Sequence, residues 1–184
     1  MYSSYSLNTT ILYALRGLLM RSRNYREVKG QAYTRKEYTK GGPPPKITKF
    51  TMGDTKAKFQ YQAKLIALEP AQIRHNSLEA ARVAVNRILM NKLGNNYCLR
   101  VLPYPHMILR ENKMIFGAHA DRLQDGMRRA FGKPIGTAAR VKPNQTIVTV
   151  GVNEDGIETA KEALRNGEPK LPILTRIVIE KLPD

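Results

Sequence analysis

Residues 61–110, YQAKLIALEPAQIRHNSLEAARVAVNRILMNKLGNNYCLRVLPYPHMILR, carry one helical period between strand patterns, and that order decides the fold. Leu78, Ala81, Val85, Ile88 and Leu89 fall on one stripe at helical spacing. Asn76 and Glu79 have the spacing of a capping-box pair and Gly94 closes the pattern, which predicts a helix opening at Asn76. Residues 61–67 read as a strand. Residues 98–102 and 107–110 read as two more, joined by Pro103-Tyr104-Pro105 as a hairpin or crossover at a sheet edge. Two strands in succession, with no helix between them, indicate an α+β domain rather than a doubly wound one.

Outward from this stretch the pattern continues. Residues 137–141 and 146–150 look like a strand pair about the turn Lys142-Pro143-Asn144-Gln145. Residues 153–166 predict a helix with Ile157, Ala160 and Leu164 inward, and residues 176–180 a last strand. A short helix is expected from Asp121, with Leu123, Met127 and Phe131 on its inner face, stopping at Gly132. The expected architecture is α+β: a mixed or antiparallel sheet, two longer helices packed on it, one short central helix, and a basic extended N-terminal arm.

The 184 residues hold 31 Lys and Arg against 15 Asp and Glu, a net charge of +16, with 42% hydrophobic residues. That apolar fraction supports a real core, while the charge surplus repels itself unless an anion screens it. The excess is +9 over residues 1–60, +8 over residues 61–140 and −1 thereafter, so the anion-facing part lies in the first three quarters. Cys98 is the one cysteine, which excludes an internal disulfide framework and fits a reducing cytoplasm. No apolar run reaches the roughly 18 residues that a membrane span needs, so no membrane partner is expected.

In the arm, RSRNYREVKGQAYTRKEYTKGGPPPKITKF (residues 21–50), Tyr25, Tyr33 and Tyr38 are interleaved with nine cations and no hydrophobic period. Rings that stack on unpaired bases beside cations that meet phosphate suit RNA better than a solvated tail. Gly41-Gly42 before Pro43-Pro44-Pro45 would bend the arm and then lay it along a surface. The expected contacts in the arm are Arg21, Arg23, Tyr25, Arg26, Lys29, Tyr33, Arg35, Lys36, Lys46 and Lys49. Beyond it they are Arg74, His75, Arg82, Arg128, Arg129, Lys133 and Arg140.

No catalytic constellation emerges. Residues 151–156 have the glycine spacing of a phosphate loop, but Ile157-Glu158 stand where Lys and Ser or Thr are required. Cys98 sits in an apolar strand pattern, as an inert buried thiol would. Asp121 and Asp125 are better read as helix-surface ion-pair partners than as paired acids. His106 and His119 have no carboxylate at a fixed nearby spacing. No enzyme activity, cofactor or metal is expected.

Against this background ADRLQDGMRRAFGKPIGTAARV (residues 120–141) resembles the signature of the L-ten-e family of large-subunit ribosomal proteins, the archaeal and eukaryotic counterpart of bacterial L-sixteen. Residues 73–87 (IRHNSLEAARVAVNR), residues 105–114 (PHMILRENKM) and the arm are similar to the same family in the same order, with the archaeal branch fitting best. The resemblance spans about residues 20–182 and implies large-subunit rRNA, tRNA and neighbouring ribosomal proteins as partners, in the cytoplasm, without homo-oligomerisation. It also implies a loop within residues 111–123 that reaches toward the peptidyl transferase centre and tRNA. Arg110, Lys113, Met114, Gly117, His119, Asp121 and Arg122 would belong to it, with His119 where the family pattern has glycine. Residues 1–19 have no counterpart, so Met20 is the expected start, followed by an arm to residue 58 and a domain over 59–184. A DNA- or chromatin-binding module would share the charge but should present Arg, Asn or Gln along one recognition-helix face. An RNA-modifying enzyme would need a cofactor loop or paired acids.

Overall fold

The computed structural model describes residues 23–112 and 126–182, without the side chains of Arg23, Asn24 and Arg129. A single turn, α1 (Arg23–Arg26), and a 3-10 turn at Lys36–Tyr38 precede β1 (Thr51–Gly53), β2 (Tyr61–Ala67) and β3 (Ala71–Arg74). There follow α2 (His75–Leu93), β4 (Cys98–Val101) and β5 (Met107–Glu111). Beyond the undescribed segment a 3-10 turn at Gly126–Arg129 leads into β6 (Lys133–Val141), β7 (Thr146–Val152), α3 (Ile157–Gly167) and β8 (Thr175–Lys181). Every strand pairing among the described residues is antiparallel.

The α+β class holds, but the strands divide into two sheets: β1-β4-β7-β2-β8 and β3-β6-β5. The expected pairing of residues 137–141 with 146–150 is therefore corrected, because β6 and β7 lie in different sheets. Their turn, with Asn144 at φ 60, is a crossover. It is laced to the crossover between β2 and β3 by two backbone bonds, Ala67 N–H to the Gln145 carbonyl (2.9 Å) and Asn144 N–H to the Ala67 carbonyl (2.8 Å). Pro103-Tyr104-Pro105 is likewise a crossover between sheets, from β4 to β5.

Alternation along the strands builds the core. Ala63, Leu65 and Ala67 of β2 and Val148, Val150 and Val152 of β7 face inward, against Leu78, Ala81, Val85 and Leu89 of α2 and Ala160, Ala163 and Leu164 of α3. The helices pack on one another and on this inner face, and among the described residues no helix lies over the opposite face of the five-stranded sheet. A second, smaller cluster, Met107, Leu109 and Ala138, lies on the three-stranded sheet and is covered by Tyr25, Ala32 and Ile135.

Two local expectations change. Helix α2 starts at His75 directly from β3, with Arg74 as N-cap and no side-chain cap. Glu79 is turned to Arg82, whose Nε donates to it at 2.8 Å, so no capping box forms with Asn76. The first residues of the expected central helix lie outside the described residues; residues 126–129 form only a 3-10 turn, and Met127 and Phe131 are exposed at 84% and 70%, not inward. A turn bounded by Gly126 at φ +56 and Gly132 at φ +69 is too short to create an inner face.

Candidate nucleic-acid interface

The arm is folded, not solvated along its length. The Ile108 N–H of edge strand β5 donates to the Tyr33 carbonyl at 2.8 Å. On the sheet, Arg140 reaches back to donate to the carbonyls of Gly30 (2.9 Å) and Lys29 (3.2 Å), and the Gln72 amide donates to the Glu27 carbonyl. Arg26 pairs with Glu69 at 2.8 Å. Pro43-Pro44-Pro45 lie over β5 and β6, lining a cleft with Ile108, Gly136 and Thr137.

Each of the arm's three interleaved tyrosines carries a cation, and for Tyr25 and Tyr33 it comes from the three-stranded sheet. The Arg74 guanidinium sits 5.3 Å from the Tyr25 ring, and burial together with a hydrogen bond to Glu111 pushes the Tyr25 hydroxyl up to about 12. Arg110 lies 3.9 Å from the Phe131 ring centre and 5.7 Å from that of Tyr33, while Tyr33 meets Phe131 edge-on at 6.0 Å. Its Nε donates to the Phe131 carbonyl at 3.1 Å and its Nη2 to that of Gly132. Close by, Asn112 Nδ2 donates to the Gly126 carbonyl at 3.1 Å. Cation–π contacts of this kind contribute on the order of 0.5–2 kcal/mol each.

Tyr38 and Tyr104 are also exposed, at 71% and 51%, as Phe131 is. Arg35 stands 5.9 Å from the first and Lys36 5.9 Å from the second, which also leans on Phe50 at 5.4 Å. Residue-type patterning did not single out Tyr104, Glu111 or Gln72, and it put Phe131 on an inner helix face rather than at this surface. The proximity of Tyr104 to the Pro103–Pro105 bend was the one available signal, since a ring between two prolines on a crossover has little core to enter.

The expected contacts divide accordingly. Arg74, Arg110 and Arg140 hold the arm, Arg82 is paired with Glu79 and also reaches Met52, and Lys29 pairs with Glu27. The side chains of Lys46, Lys49, Arg128 and Lys133 make no ion pair or hydrogen bond among the described residues and are exposed. Arg21, Lys113, Met114, Gly117, His119, Asp121 and Arg122, with the side chains of Arg23 and Arg129, lie outside the described residues. Among the described residues no group of three His, Cys, Asp or Glu is placed to hold a metal ion.

His75 is a clamp beneath this surface. It is buried, its Nδ1 accepts the Lys46 backbone N–H at 2.9 Å, and its Nε2 would stand 2.8 Å from a Cβ at Gly136. Burial first, then the charges of Arg74 and Lys46, hold the imidazole below its ordinary pKa. Folding therefore favours the neutral ring, and the unfolded chain binds the extra proton as pH falls through about 6.5. Stability should drop below that pH and level off only once the folded-state ring titrates too. Urea midpoints for the wild type and His75→Phe should show this extra acid loss in the wild type alone; parallel curves would refute it.

The family model for "Ribosomal protein L16p/L10e" matches residues 28–178 of this chain. "Large ribosomal subunit protein uL16" of Staphylothermus marinus is 53% identical over 162 residues, covering 88% of this chain and 93% of the relative. The protein of the same name from Sulfolobus acidocaldarius is 53% identical over 163 residues, covering 87% and 93%. That of Methanosphaerula palustris is 50% identical over 160 residues, covering 86% and 92%.

Proposed function

The chain belongs to the L16p/L10e family of ribosomal proteins, and from that premise we propose that it is a structural constituent of the large ribosomal subunit in the cytoplasm. Its work is binding rather than turnover, as befits relatives named as ribosomal proteins and not as enzymes. In this reading it contacts large-subunit rRNA and neighbouring ribosomal proteins, acts as a single copy, and helps position tRNA near the peptidyl transferase centre through segment 111–123.

The observation that carries the rRNA reading is the division of labour among the cations. Arg74, Arg110 and Arg140 fix the arm to the three-stranded sheet, and that frame presents Lys46, Lys49, Arg128 and Lys133 with no protein partner among the described residues. Cations that are exposed and already positioned give up little conformational freedom on meeting phosphate. A DNA-reading module is less well supported, because along the exposed face of α2 Ala80, Val83 and Met90 interrupt Asn76, Arg87 and Asn91, so no unbroken row of polar readers forms.

The chain should travel with large subunits through a high-salt wash. Replacing Arg128 and Arg129 with Ala should weaken binding of the purified chain to large-subunit rRNA and lower its salt slope by roughly two units, about one per phosphate contact. A chain that never sediments with ribosomes would refute the function; an unchanged slope would remove these two residues as phosphate ligands.

A further inference from the structure

The face of the five-stranded sheet opposite α2 and α3 is not a flat polar surface. Between β2, β7 and β4, where Gln62, Gly151 and Cys98 stand in register, the preceding loop folds back to leave a groove of about 570 Å³. That volume is within the roughly 300–1,000 Å³ of small-ligand sites. Phe59 lies in its wall, seated on Gly151: its ring comes within 3.1 Å of where a Cβ would be, so the glycine is what lets the ring settle against the sheet. Lys58 and Arg100 line the groove, and among the described residues no carboxylate lines it and neither cation makes an ion pair. Lys64, in register with Thr149 and Arg100, is by contrast neutralised by Glu180.

We propose that this groove holds one unpaired nucleotide of RNA, with its base against Phe59 and its phosphate between Lys58 and Arg100. The inference rests on the rRNA reading above and adds a second contact surface, on the five-stranded sheet rather than the three-stranded one. The choice of occupant follows from charge and shape together. A half-buried ring beside two unneutralised cations on an open sheet matches how single strands are held, by stacking that any base satisfies and by cations that track phosphate. The polar groups around the ring, Thr149 and Gln62 among them, offer donors and acceptors to a base edge.

The test is salt-dependent binding of the full chain to large-subunit rRNA. Lys58→Gln with Arg100→Gln should lower the salt slope by about two units, and Lys58→Arg with Arg100→Lys should restore it. Phe59→Leu, which keeps an apolar cover over Gly151, should weaken binding roughly tenfold with the slope unchanged, as expected for one lost stacking contact. Wild-type affinity and slope in both the Gln pair and Phe59→Leu would overturn the groove while leaving the rRNA reading intact. No rRNA binding by the wild-type chain would overturn both. A defect seen only on assembled subunits, with naked-rRNA binding intact, would assign the groove to a protein neighbour and likewise overturn the proposal.

Discussion

Gly132→Ala is expected to lower the unfolding free energy by roughly 2 to 5 kcal/mol, combining about 1–2 for a left-handed backbone and about 1–3 for overpacking. Gly132 has φ +69, and a Cβ there would stand 2.4 Å from the Glu111 carbonyl carbon and 2.5 Å from the Asn112 nitrogen. These are backbone atoms of the neighbouring strand end, so no rotamer change relieves the clash. Its carbonyl also accepts from Arg110, so a displaced Gly132 should unseat the cation from Phe131 and reduce rRNA affinity as well. The control is Gly30→Ala, at φ +58 with nothing within 4 Å, which should cost only the backbone part, about 1–2 kcal/mol. Equal losses for the two variants in urea denaturation would show that close approach at Gly132 contributes nothing.

The second large effect is expected within one helix. Leu89→Ala should cost about 2–5 kcal/mol, because Leu89 is fully buried between α2 and the sheet and truncation leaves a cavity. Met90, the next residue, is 60% exposed, and Met90→Ala should change stability by no more than about 0.5 kcal/mol. Comparable losses at the two positions would mean that α2 is rotated from the orientation described.

That helix also shows what the sequence made legible. The stripe Leu78, Ala81, Val85 and Leu89 is a local property, repeated over about three turns, and these four emerged as the buried face, while Ile88 is half-buried. Strands β2 and β8 were readable for the same reason, with clear patterns over seven residues. Strand β3 was missed: four residues, Ala71–Arg74, three of them buried in succession, carry no alternation to read. The division into two sheets was not legible because pairing is set by partners far away in the chain, and a strand's own period says only which face is apolar. Met127 and Phe131, four apart, looked like an inner face although one 3-10 turn cannot supply one.

The candidate site was legible as a population of cations and illegible as a set of pairings. Composition shows that Arg74, Arg110 and Arg140 are basic, but only the folded chain shows that they hold Tyr25, Phe131 and two arm carbonyls. Glu111 and Gln72 drew no notice because each acts across a long stretch of sequence, on Tyr25 and on the Glu27 carbonyl.

The way the arm is fastened has a consequence for how freely it can change. Arg140 and Gln72 grip Glu27, Lys29 and Gly30 by their peptide oxygens, which every amino acid possesses. The sheet thus clasps a path of main chain there and is indifferent to which side chains hang from it. Residues 27–29 could be rewritten to suit a different ribosomal RNA surface without loosening the clasp, whereas Gly30, held at φ +58, and Gln72 and Arg140, far away in the chain, could not. Adaptation to a new nucleic-acid contour is thereby separated from the requirement to stay docked.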